Sequence, residues 1–278
     1  MSLRITILCE NTVPQGGRTI GEHGFSAKVE RDGDSLLFDT GRGMGLLGNA
    51  RTLGVDLSSV PTVVLSHGHY DHTGGLKDFL LQTSGAEILC HPHVFEAKYA
   101  KDGNNLRYIG IPFAAEAIRG WGGSLRLSTD PLEAGPGMWT TGEVARRELS
   151  EGRDSRLLVK RGEVLEEDPL LDDLSLVIDT SAGLVVVLGC AHAGVINTLY
   201  HIQQLTGKST FHWVVGGTHL GFYQPETLET VVGHLRNFSI EHLGVSHCTG
   251  LRAGARLAQE MGPALHFCNV GSVIEVGP

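Results

Sequence analysis

Apolar positions along the chain fall in short runs separated by polar punctuation. Ten runs, mostly β-branched and bounded by Gly, Asp or Pro, read as buried strands: 4–9, 25–29, 36–38, 62–65, 88–90, 174–178, 184–188, 211–215, 240–245 and 273–276. Between some of them the apolar spacing turns helical, at 43–53, 71–82, 194–205, 225–238 and 250–261. Asp71 is placed to cap the second of these helices. In 194–205, Val195, Ile196, Leu199 and Ile202 share one face. Strands paired with helices in both halves predict an α/β (α+β) fold, with two packed sheets and helices outside.

The stretch 91–170 breaks this rhythm. It is richer in Gly, Pro and charge, with Gly-Trp-Gly-Gly at 120–123 and Ala-Gly-Pro-Gly at 134–137, and it shows few clear strands. It reads as a long insertion within a single domain spanning 1–278, lying over one end of the core. Loops of that length are often functional lids; the alternative is an ordinary decorated loop.

Composition narrows the class. Of 278 residues, 41% are hydrophobic and 19% charged, which fits a globular chain. No apolar run approaches the roughly 20 residues of a membrane helix, and no signal-peptide anatomy opens the chain. A net charge of −9 argues against a nucleic-acid partner. Cys9, Cys90, Cys190, Cys248 and Cys268 are odd in number, far apart and free of any CxxC spacing, so a reduced, cytoplasmic protein is expected. Fourteen histidines make the placement of imidazoles the informative feature.

The sharpest signal is Leu65-Ser-His67-Gly-His69-Tyr-Asp71-His72-Thr-Gly-Gly, which follows an apolar strand and opens a helix. On such a turn His67 and His69 can share one ion while Asp71 and His72 face a second. Imidazole and carboxylate suit Zn²⁺ and accommodate Fe or Mn. The loop supplies only part of each ligand set. His192, in Leu188-Gly-Cys-Ala-His192, repeats the strand-end context and is the first candidate to complete it. His247 comes next, in Val245-Ser-His247-Cys-Thr-Gly, and His219 third, in Val215-Gly-Gly-Thr-His219. The remaining histidines read as ordinary structural residues, except His23, which sits in a Gly-punctuated loop and is a candidate substrate contact. Asp39 closes the strand at 36–38 and could accept a hydrogen bond from a ligand histidine. Cys190 and Cys248 read as small buried residues in preference to thiolate ligands.

His67-Gly-His69-Tyr-Asp71-His72 resembles the HxHxDH motif of the metallo-β-lactamase superfamily. Leu37-Phe-Asp39-Thr-Gly resembles that superfamily's first motif, and His192 and His247 its later single histidines. The runs at Glu22-His-Gly-Phe, Thr140-Thr-Gly-Glu, Asp172-Asp-Leu-Ser-Leu, Gly189-Cys-Ala-His-Ala-Gly and His247-Cys-Thr-Gly resemble one branch of it. Members of that branch are often named dihydropterin-ribofuranosylaminobenzene-phosphate synthase-like proteins. The resemblance covers essentially the whole chain. It implies a four-layer αββα sandwich with metals at one edge. One ion would sit on His67, His69 and His192, the other on Asp71, His72 and His247. Many superfamily members bridge both metals with a later aspartate, but no aspartate follows Asp179 here. Either His219 ligates in its stead, or a water alone bridges, or one site is weak.

Two Zn²⁺ ions would lower the pKa of a shared water to about 7, and the resulting hydroxide would attack an ester, amide or phosphoester. Asp71 would orient it, and His219 could donate to the oxyanion. The insertion, with His23 and the Asp172-Asp173 loop, would shape a pocket for a small phosphorylated or heterocyclic molecule. Three expectations therefore stand: a metal-dependent hydrolase, a pterin-condensing synthase that releases pyrophosphate, and a metal-binding sensor without turnover. No membrane partner is expected, and a homo-oligomer is left open.

Overall fold

The computed structural model describes residues 2–83 and 85–277. Its first sheet runs β18 (Val273–Val276), β1 (Leu3–Cys9), β2 (Ser26–Arg31), β3 (Asp34–Phe38), β4 (Thr62–Val64), β5 (Glu87–Cys90) and β8 (Ser124–Leu127). The second runs β17 (Leu265–Phe267), β16 (Ser239–Ser246), β15 (Thr210–Gly217), β14 (Gly183–Leu188), β13 (Ser175–Thr180), β10 (Met138–Thr140) and β9 (Glu133–Gly135). A third, smaller sheet orders β12 (Val164–Glu167), β11 (Leu157–Arg161), β6 (Ala97–Asp102) and β7 (Asn105–Tyr108). The helices are α1 (Leu46–Leu53), α2 (Tyr70–Thr73), α3 (Leu76–Gln82), α4 (Ala115–Gly120), α5 (Val195–Thr206), α6 (Pro225–Leu235) and α7 (Gly250–Met261).

Side-chain alternation along the strands sorts apolar residues to two faces of each sheet. On β14, Val185 and Val187 join Ile5, Ile7 and Phe38 of the first sheet in a core between the sheets. Leu184, Val186 and Leu188 turn the other way and pack on α5, α6 and α7. The outer face of the first sheet, through Leu37, Val63 and Ile88, packs on Leu46 of α1, Phe79 of α3 and Ile118 of α4. Helices on both outer faces of two stacked sheets make the αββα sandwich.

Two expectations are corrected here. The helix predicted at 71–82 is two helices, α2 and α3, broken at Gly74-Gly75. A Cβ at Gly75 would lie 2.2 Å from the carbonyl oxygen of Thr40, so the backbone of the first-motif loop approaches where a side chain would stand. Asp71 caps neither helix; α2 starts from His69 without a side-chain cap, and the Asp71 carboxylate turns to His23 and His247. The second correction concerns 91–170, which holds seven strands. β8 extends the first sheet, and β9 and β10 extend the second. Only β6, β7, β11 and β12 stand outside the two main sheets. Their residues, such as the fully exposed β7 and β12, face solvent widely and carry no clean apolar alternation.

Strands β3, β4 and β5 run parallel in one sheet and β14, β15 and β16 in the other. Their carboxyl ends converge on one edge of the sandwich, where open α/β sheets bind ligands.

Candidate metal centre

From the first sheet comes the loop after β4. His67, His69, Asp71 and His72 are all buried. From the second sheet come Cys190 and His192 after β14, His219 after β15, and His247 after β16. The parallel register pairs Gly216 with both Leu188 and Val245, which levels the three strand ends.

The donors gather in two sets. In the first, the Nε2 atoms of His67 and His192 are 3.3 Å apart, and the ring of His69 lies 4.5 Å from that of His67 and 5.0 Å from that of His192. In the second, His72 Nε2 is 3.2 Å from His247 Nε2 and 3.9 Å from Asp71 Oδ2, and His247 Nε2 is 3.4 Å from the same oxygen. Tetrahedral Zn²⁺ with bonds of about 2.0–2.1 Å separates its ligand atoms by about 3.3–3.4 Å, so the spacing fits that ion.

The hydrogen bonds behind the donors fix which nitrogen faces the centre. Asp39 Oδ2 accepts from His72 Nδ1 at 2.7 Å and from the Ser66 hydroxyl at 2.7 Å, and that hydroxyl oxygen lies 2.8 Å from His67 Nδ1. Asn11 Oδ1 lies 2.9 Å from His247 Nδ1. With Nδ1 of each ring turned to these acceptors, the Nε2 lone pairs face one another, an arrangement that a shared cation relieves. His69 Nε2, His192 Nδ1 and His219 Nδ1 are buried without a hydrogen-bond partner. The residues present therefore fit metal binding.

Electrostatics agree with this. Burial, reinforced by neighbouring imidazoles, holds His67 and His192 well below the ordinary histidine pKa. Burial likewise takes His69 down to about 3. All three are neutral at pH 7 and free to ligate. His72 moves the other way: burial opposes protonation, but the Asp39 carboxylate outweighs it. Asp71 is buried, which favours its neutral form, yet the neighbouring His23 and His247 hold it well below the carboxylate range. His219 resists burial through Asp154, 3.4 Å from its Nε2, and rises to about 9.

The sequence-predicted residues divide clearly. His69, Asp71, His192, His219 and His247 line one pocket of about 210 Å³ with His23, 3.1 Å from Asp71, and the fully buried His67 and His72 reach His192 and His247 from beneath it. Asp39 lies behind them. Asp173 does not line the pocket, which corrects its reading as a substrate contact. It is buried, and its Oδ2 accepts the Ala193 amide at 2.9 Å, bracing the His192 turn from behind. Burial lifts its pKa to about 6.

Several residues support the site in roles that the sequence did not assign. Asp172 Oδ2 accepts the amide of Gly68, between the two histidines of the HGH run, at 2.8 Å. The fully buried Lys98 binds Asp172 at 2.9 Å and Asp168 at 2.8 Å. The third sheet docks on the same loop: the Tyr70 amide donates to Ile109, and His69 forms a bridge with Gly110. A lysine in a polar strand carries no mark of burial, so nothing in the sequence singled out Lys98. Glu10 and Asn11, which hold the His247 amide and ring, sit in an ordinary-looking turn after β1.

Facing sheets that both end in buried histidine donors define a class of metal-binding α/β sandwich. The chain belongs to the metallo-β-lactamase superfamily, whose sequence pattern matches residues 21–198. Among curated proteins it is similar to the 7,8-dihydropterin-6-methyl-4-(beta-D-ribofuranosyl)-aminobenzene-5'-phosphate synthase of Methanocaldococcus jannaschii, 26% identical and covering 99% of this chain and 97% of that protein. An uncharacterized protein of the same archaeon is 30% identical over 92% of this chain and 94% of its own length. Among solved structures it is similar to Tm1679, described as a metal-dependent hydrolase of the beta-lactamase superfamily, with a TM-score of 0.84, 30% identity, and coverage of 99% of this chain and 100% of that one.

Proposed function

We propose that this chain is a metal-dependent hydrolase of a small anionic substrate, with one ion on His67, His69 and His192 and a second on Asp71, His72 and His247. The observation that carries the reading is the pair of donor sets at tetrahedral ligand spacing, opening on a pocket sized for a small molecule. Zn²⁺, or Fe or Mn in its place, would supply Lewis acidity and lower the pKa of a water to about 7.

The chain's own groups supply the rest. Asp71 accepts from His23 and would orient the attacking water. His219, its ring held by Asp154, is placed beside His192 to donate to the developing oxyanion or leaving group. Lys101, Arg107 and Arg156 line the pocket among Asp71, Asp102 and Asp154, and bound metal ions would add the positive charge that favours an anionic substrate. The similarity to a metal-dependent hydrolase over nearly the whole chain supports the reading.

A second reading has its own support in the similarity to the pterin synthase, which also spans nearly the whole chain. There an aryl amine replaces water as nucleophile and pyrophosphate leaves. The test is to incubate the metal-loaded protein with a panel of phosphodiesters, phosphomonoesters and lactones, and separately with a dihydropterin pyrophosphate plus an aryl amine. Chelator-sensitive hydrolysis supports the first reading. Amine-dependent pyrophosphate release without hydrolysis replaces it with the second. A metal-loaded protein that turns over nothing in either set leaves the sensor.

A further inference from the structure

Five cysteines are buried, but they keep different company. Cys9 and Cys90 pack in the apolar core outside the first sheet, and Cys268 in the core between the sheets. Cys190 and Cys248 belong to neither, nor to the core under α5, α6 and α7, among the described residues. The Cys190 sulfur lies 3.2 Å from His72 Nε2. It is also within 4.8 Å of donor atoms of His67, of His192 and His219, and of His247. One buried sulfur therefore reaches donors of both sets.

The end of β15 explains how it gets there. A Cβ at Gly217 would lie 2.6 Å from the Cys248 sulfur, 2.4 Å from the Gly189 carbonyl oxygen and 3.4 Å from Cys190 Cα. No side chain can project from that strand end, and no aspartate follows Asp179 to do so from elsewhere. The two thiols fill the space. They differ in what they already hold. The Cys248 sulfur accepts the His219 amide at 3.2 Å and donates to the Cys190 carbonyl at 3.7 Å, so it braces two turns. The Cys190 sulfur has His72 Nε2 as its hydrogen-bonding neighbour at the centre.

We propose that Cys190 is a thiolate ligand shared by the two donor sets, a role that rests on the metal-binding reading above. On metal binding the S–H bond breaks, the sulfur lone pair goes to the metal, and the proton leaves to solvent. A soft sulfur donor among imidazoles shifts preference toward Zn²⁺ or Co²⁺ and away from Mg²⁺ or Mn²⁺.

The experiment titrates the metal-free full chain with Co²⁺ and reads bound cobalt together with the near-ultraviolet thiolate-to-cobalt charge-transfer band. The wild type should develop the band as cobalt binds. C190S should bind cobalt without the band, and C248S should keep it. Cobalt bound by the wild type with no band overturns the proposal, as does a band that survives in C190S. If C190S does not fold, C248S decides: loss of the band there moves the ligand to Cys248, and retention supports Cys190. A wild-type chain that binds neither Co²⁺ nor Zn²⁺ overturns the metal-binding reading itself, and this outcome is distinct from a bound but bandless metal.

Discussion

The two walls of the pocket present similar donors and hold them by different means. The wall from the first sheet packs His67, His69, Asp71 and His72 into six residues and fixes them with side chains. Asp39 and Ser66 hold the rings, and Asp172 with Lys98 holds the backbone between the histidines. The wall from the second sheet draws its donors from three strand ends and adds strained backbone to the side chains that hold them, Asp173, Asp154, Glu10 and Asn11. Ala191, His219 and His247 sit at φ of 53°, 57° and 51°, three of the six described non-glycine residues with positive φ. Each such residue costs on the order of 1 kcal/mol and persists where surrounding structure over-determines it. Donors adjacent in sequence need a side-chain network to separate their roles. Donors far apart need strand register to bring them level and a sharp turn to aim them.

The largest effect should come from taking one donor of the same set from each wall. H69A and H192A should each lose bound metal and drop turnover by at least about a hundredfold, beyond what changes behind a ligand usually cause. Metal content by elemental analysis and steady-state rates check this. If H192A keeps its full metal content while H69A loses it, the second wall is no part of that set and the comparison breaks.

Next is the support under the first wall. K98M removes the buried cation and leaves Asp168 and Asp172 facing each other unneutralised. Breaking a buried pair in this way costs about 3–5 kcal/mol. Denaturant unfolding should show that loss. A change under about 1 kcal/mol would mean that the first wall stands without its charge network.

How much of this was legible follows the same division. The first wall was plain in the sequence because its donors are contiguous and follow an apolar strand. His192 and His247 were legible as single histidines at strand ends, since local context repeats there. The surroundings of Cys190 were not legible, because only the fold reveals that its neighbours are imidazole nitrogens. Lys98 and Asp172 were invisible as a pair because 74 residues separate them, and Asp173 was misassigned because adjacent residues of one loop face opposite ways. The third sheet was missed because strands open to solvent lack the period-two pattern that marks a half-buried sheet.

Support under the second wall should respond to pH. Glu151 is buried against the start of α5, which follows the His192 turn, and accepts the amides of Ile196 and Asn197 at 2.9 and 2.8 Å. Burial raises its pKa from an ordinary 4.5 to about 7, although those amides pull it down. Between these values the folded chain holds a proton that the unfolded chain has released. Its contribution is thus present at low pH and lost as pH rises through 7. E151Q cannot titrate. The stability of wild type relative to E151Q should therefore fall by about 2–3 kcal/mol between pH 5 and pH 8. A flat difference would show that the carboxylate is charged throughout and acts as a cap on α5.

The finest comparison lies within the second donor set, where one histidine comes from each wall. Asp39 holds His72 from a fully buried carboxylate, and Asn11 holds His247 from an exposed, neutral amide. A charged acceptor raises ligand basicity more than a neutral one, and burial strengthens that bond. D39N should weaken metal binding by up to about 100-fold and N11A by about 10-fold, the two ends of the range usual for partners of a ligand histidine. Competition titrations with a chromophoric chelator measure both. The His247 backbone amide stays anchored on Glu10 in N11A, so the ring loses its orienting bond while the turn keeps its place. Equal losses in the two variants would mean that ring orientation alone matters. The side-chain charge behind the first wall would then add nothing that the strained backbone of the second does not already provide.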